Sequence, residues 1–189
     1  MQPDGAAVTP PPDLMATEHE GVFVARRTVP RIAADHLAFI KACAATHPRR
    51  RARICLHKSP RERLHDMIIA IAPDCYIRPH KHLDRAETFH LIEGAGTVVI
   101  FGEQGAIDDR IHLGAGGRGE NAIAYRLDAP RYHTILPRTE MLVIHETTSG
   151  PFAPERTIAA SWAPPEGGDE RDVRGFLQRL SSALERMDG

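Results

Sequence analysis

The sequence predicts an all-β core flanked by an N-terminal and a C-terminal helix. Between Ile54 and Thr148 the apolar residues fall in short β-type runs separated by turn residues. No segment of helical period interrupts those runs, which argues against a parallel α/β sheet. Helical spacing appears only outside them, near each end of the chain.

The elements read in order as follows. Residues 1–20 are rich in Pro, Ala and Thr without periodicity, and read as a disordered tail. Residues 21–52 form an N-terminal strand and helix segment. Val22, Phe23, Val24 and Val29 suit a strand, while Ala33, Leu37, Ile40 and Ala44 give a helix over 31–46 that Pro48 ends. Residues 53–150 hold the barrel, with strands predicted at 54–57, 67–72, 88–92, 97–101, 107–113, 122–127, 134–136 and 141–147. Pro73-Asp74, Gly94-Ala95-Gly96, Gly102 to Gly105 and Gly114 to Gly119 mark turns. Residues 151–189 form an extended, Pro-rich segment and then a helix over 169–187, with an apolar stripe of Val173, Phe176, Leu177, Leu180 and Leu184.

Composition excludes some classes of function. The 189 residues are 42% hydrophobic and carry a net charge of -1, so no overall field draws nucleic acid or a membrane surface. No apolar run approaches the roughly 20 residues that span a bilayer. The N-terminal residues lack the charged head and apolar body of a signal peptide. Cys43, Cys55 and Cys75 are too few and too far apart for a disulfide framework or a thiolate zinc cluster. A reducing cytoplasm is therefore the expected location.

The chemistry concentrates in Pro79-His80-Lys81-His82-Leu83-Asp84-Arg85-Ala86-Glu87. On a strand, His80 and His82 project to one side and can hold one ion. A turn over Leu83 to Ala86 returns Glu87 to the same place. Imidazole and carboxylate together suit Fe, Mn, Zn, Ni or Cu. One divalent metal ion is thus the expected cofactor. The same alternation turns Arg78, Phe89 and Leu91 inward, and Lys81 and His90 outward. A buried arginine beside the ion would suit a carboxylate or phosphate on a substrate. Lys58, at the end of the first barrel strand, Tyr132 and Glu146 are further candidates for the pocket.

A barrel carrying H-x-H and then Glu resembles the cupin superfamily. His80, His82, Glu87 and Gly94 match the first cupin motif, G-x5-H-x-H-x3,4-E-x6-G, with Asp74 in place of its leading Gly. The second motif implies one more ligand, and His133 fits it, although Asp128, Pro130 and Pro137 stand where Pro, Gly and Asn are usual. The resemblance implies a double-stranded β-helix, or jelly-roll barrel, and a four-residue ligand set of His80, His82, Glu87 and His133.

Longer segments look like the WbuC family of small cupin metalloproteins. They include Arg53-Ile54-Cys55-Leu56-His57-Lys58, Thr88-Phe89-His90-Leu91-Ile92-Glu93-Gly94, His145-Glu146-Thr147-Thr148-Ser149-Gly150-Pro151-Phe152 and Trp162-Ala163-Pro164-Pro165-Glu166. That family is linked to bacterial surface-polysaccharide gene clusters, which implies a small polar, sugar-like or anionic ligand. Three functions remain open: a metalloenzyme such as an isomerase, epimerase or oxygenase; a non-catalytic binding or sensing module; and an interaction protein that forms a homodimer through the two apolar helical stripes. Trp162 is expected to pin the C-terminal segment to the barrel.

Overall fold

A computed structural model describes residues 9–117 and 121–189. The N-terminal elements are β1 (Leu14–Ala16), β2 (Val22–Ala25), α1 (Ala34–Thr46) and β3 (Arg51–Cys55). The central strands are β4 (Leu64–Ile71), β5 (His80–His82), β6 (Glu87–Glu93), β7 (Ala95–Phe101), β8 (Ile107–Gly114), β9 (Ala124–Leu127), β10 (Tyr132–Pro137) and β11 (Leu142–Ser149). β12 (Thr157–Ala159) and α2 (Glu170–Asp188) complete the chain.

One sheet runs β1-β2-β3-β4-β11-β6-β9 and the other β12-β5-β10-β7-β8. Counted from β4 to β11, the central strands place the first, eighth, third and sixth in one sheet and the second, seventh, fourth and fifth in the other. That order is a jelly roll. The fold is the cupin-type double-stranded β-helix, an all-β core with terminal helices.

Each sheet buries both faces. Ile68 and Ala70 of β4 pack against Phe39, Ile40 and Ala44 of α1, while Ile71 faces the barrel interior with Val98, Ile100 and Ile144. On β7, Val98 and Ile100 point inward, and Val99 and Phe101 point outward beneath Leu180 and Leu184 of α2. This double burial explains why β7 is a continuous apolar run rather than an alternating one. Both helices thus pack against the chain's own sheets. Trp162 packs 5.0 Å from Phe101 and donates from Nε1 to the Glu103 carbonyl at 3.1 Å, holding the C-terminal segment as expected.

The ends carry more structure than the sequence predicts. Residues 1–8 of the expected tail lie outside the described residues. Within 9–20, Leu14 is buried in the α1 core, and β1 pairs antiparallel with β2. A three-residue strand has too few positions to show a period. β12 is likewise hidden among prolines, and its partner β5 is equally short. The first barrel strand lies at 51–55 rather than 54–57, because its pairing with β4 stops at Cys55–Met67. The chain then turns where Glu62 accepts from the amides of Lys58 and Ser59. Of the expected Gly114 to Gly119 turn, the residues after Gly117 lie outside the described set.

Candidate metal centre

The period-two alternation of β5 sends His80 and His82 into the barrel. Lys81 faces outward over the Tyr132 ring, at 4.6 Å, and pairs with Glu103 at 2.6 Å. His133 lies directly across the ladder from His80, so its side chain shares that face. Glu87 is the first residue of β6 and comes from the opposite sheet. His90, on the outer face of β6, stacks on His145 at 6.1 Å, as the alternation predicts.

Each imidazole is fixed through Nδ1. His80 Nδ1 lies 2.9 Å from the Arg78 carbonyl, and His133 Nδ1 lies 3.0 Å from the Arg131 carbonyl. A carbonyl only accepts, so both Nδ1 atoms carry hydrogen, and each ring in its neutral form keeps its lone pair on Nε2. His82 Nδ1 lies 3.1 Å from Thr157 Oγ1. The donor atoms of His80, His82 and His133 lie within 4.8 Å of one another, close enough to share one ion.

Glu87 completes the cluster. Its Oε1 is 2.9 Å from His133 Nε2 and its Oε2 is 3.4 Å from His82 Nε2. Despite that proximity, His133 Nε2 is buried and lacks a partner in hydrogen-bond geometry. With the His133 ring neutral, an imidazole lone pair and a carboxylate oxygen face each other across 2.9 Å. Two acceptors at that distance repel unless a proton or a cation lies between them. Anchored Nδ1–H groups, inward Nε2 atoms and a carboxylate are the donor set that a divalent ion requires, and the residues fit it.

With no ion between them, Glu87 and His133 favour a shared proton, which a bound cation would displace. Burial raises the Glu87 carboxyl, but the neighbouring His133 and His82 rings outweigh it and hold the group far below the usual carboxylate range. Burial lowers His133, yet the Glu87 charge carries it upward overall. Burial and the neighbouring His133 push His80 down to about 4, so its ring is neutral at physiological pH. Tyr125, on β9, donates to Glu87 Oε1 at 3.2 Å. Burial and the Glu87 charge raise that phenol well above its ordinary value.

The cluster opens on a cavity of about 800 Å³ walled by both sheets. Glu146 of β11 lines it, and burial together with the Glu87 charge pushes its carboxyl up to about 7. Arg78 also lines it, but its Nε and Nη2 both donate to the Ala160 carbonyl, at 3.1 and 2.6 Å. Lys58 is not among the lining residues. Its ammonium donates to the Ala25 and Arg27 carbonyls and ties down the chain after β2. Tyr132 is buried on the outer side of β10, against Trp162. Thr157 and Arg85 are among the cavity residues that the sequence reading missed. Thr157 is 75 residues from His82, in a segment without period. Arg85 sits in the turn read as merely polar.

Residues 32–113 match the family model described as a domain of unknown function, DUF6016. No protein of curated function matches the chain. Among solved structures, the chain resembles protein SO0799 from Shewanella oneidensis at 10% identity over 57% of this chain and 72% of that one, with a TM-score of 0.49. It resembles TT1209 from Thermus thermophilus at 17% identity over 55% and 86%, with a TM-score of 0.43. It resembles the oxalate decarboxylase of Lactobacillus farciminis, solved as a formate complex, at 16% identity and a TM-score of 0.40. That match covers 52% of this chain and 27% of the decarboxylase, so the chain spans about a quarter of the enzyme's length.

Proposed function

We propose that the chain is a WbuC-like mononuclear metalloprotein that holds one divalent ion, Fe, Mn, Zn or Ni, through His80, His82, Glu87 and His133. It acts on a small polar, sugar-like or anionic ligand in bacterial surface-polysaccharide metabolism. One observation carries the metal reading: the unpartnered Nε2 of His133 facing the Glu87 carboxylate at 2.9 Å, with two more histidines beside it.

The ion, when bound, supplies Lewis acidity to a ligand oxygen. The chain's own groups would do the rest. Thr157 and the Arg78 and Arg131 carbonyls hold the rings in orientation. Glu146, titrating near neutrality in the cavity wall, can give a proton to the ligand or take one. Phe89, Ile77 and Ile135 supply apolar wall to the same cavity.

Elemental analysis of untagged protein, with His80→Ala as control, tests the metal reading. About one divalent ion per chain, lost in the control, is expected. The absence of stoichiometric metal from the wild type would leave a metal-free binding module.

A further inference from the structure

We infer that Arg85 is the anion anchor of the cavity. It would bind a carboxylate or phosphate of a ligand that also reaches the metal centre. The inference rests on the metal reading above and names the class of ligand that site takes.

The arginines of the cavity wall differ in what already occupies them. Arg49 and Arg51 are paired with Glu166, at 2.5 and 2.9 Å. Arg78 is committed to the Ala160 carbonyl. Arg53 carries no ion pair among the described residues either, but it is exposed. Arg85, half-buried, has no carboxylate within ion-pair distance among the described residues. Its Nη2 donates to Thr157 Oγ1 at 2.6 Å, while its Nε is buried without a partner. A buried guanidinium nitrogen left unsatisfied is costly, and an oxyanion binding side-on would remove that cost with two parallel hydrogen bonds.

Position and shape favour the same role. Thr157 Oγ1 also lies 3.1 Å from His82 Nδ1, so one hydroxyl separates the guanidinium from a candidate ligand ring. The Phe152 ring lies 5.1 Å from the guanidinium carbon and limits its swing. An ion and an arginine this close favour one small anion spanning both. Glu146, on the same cavity wall, meets the remainder of the ligand.

The test is calorimetric titration of metal-loaded wild type, Arg85→Met and Arg85→Lys with malonate and with inorganic phosphate, alongside the metal content of each sample. Saturable binding by the wild type, weakened about tenfold or more in Arg85→Met at unchanged metal content, is the expected result. Arg85→Lys should recover part of the loss, and the tighter of the two probes names the ligand's anionic group. Equal affinity in wild type and Arg85→Met overturns the inference, as does the absence of saturable binding of either anion by the wild type. Loss of metal in Arg85→Met would make the residue a prop for His82 and overturn it too. If the wild type carries no metal, the metal reading fails by itself. The Arg85 assignment then stands only if metal-free wild type binds an anion that Arg85→Met does not.

Discussion

Thr157 gives one hydroxyl oxygen to two neighbours, the His82 ring and the Arg85 guanidinium. Thr157→Val keeps the shape and deletes the acceptor. Loss of such an orienting partner typically costs 10- to 100-fold in metal affinity. A competitive chelator titration checks this, and unchanged affinity would return Thr157 to a packing role. Glu146 gives a prediction with a definite sign. The carboxyl titrates near 4.5 when free and near 7 in the fold. The folded state therefore holds the proton more tightly, and stability falls as pH rises through that window. In metal-free protein, Glu146→Gln should melt a few degrees above wild type at pH 8 and together with it at pH 4. Equal melting at both values would show that Glu146 is solvated.

Among the elements, the turn between β6 and β7 has little freedom. Gly94 has φ +82°, and a Cβ there would lie 2.2 Å from the Met141 carbonyl oxygen. Gly94→Ala should cost about 2 kcal/mol or more, read by denaturant unfolding, since left-handed backbone and a backbone clash add. A cost under about 0.5 kcal/mol would mean that the turn relaxes freely. The same scale shows what could be read from sequence. His80, His82 and Glu87 were legible because alternation along a strand is a local rule. So was α2, whose stripe of Leu177, Leu180 and Leu184 repeats at helical spacing. β1 and β12 were not, since three residues show no period and their stability comes from partners distant in the chain. Arg78 lines the cavity, but strand parity is silent about the Ala160 carbonyl that occupies it.

For the whole molecule, the candidate ligands divide between the two sheets. His80, His82 and His133 come from the sheet of β5 and β10, and Glu87 comes from the sheet of β6. An ion bound there would tie the layers together from inside, where Glu87 and His133 are otherwise a buried pair. Ion removal should therefore cost stability as well as function. At free metal about 100 times the dissociation constant, mass action adds roughly 2.7 kcal/mol. Melting with and without a chelator measures it. An unchanged midpoint would mean that the ion does not bind the folded state preferentially. His133 itself entered from resemblance, because pairing across β5 and β10 brings it to His80 from 53 residues away.

The Thr157 contact also orders events in time. All four candidate ligands lie before Ser149, while the hydroxyl that orients His82 arrives with β12. During synthesis the ligands leave the ribosome first, and the residue that sets one of their rings follows. The nascent chain thus passes through a stage in which the site is complete in composition but loose in geometry. Capture of the right ion at full affinity then waits on the emergence of β12.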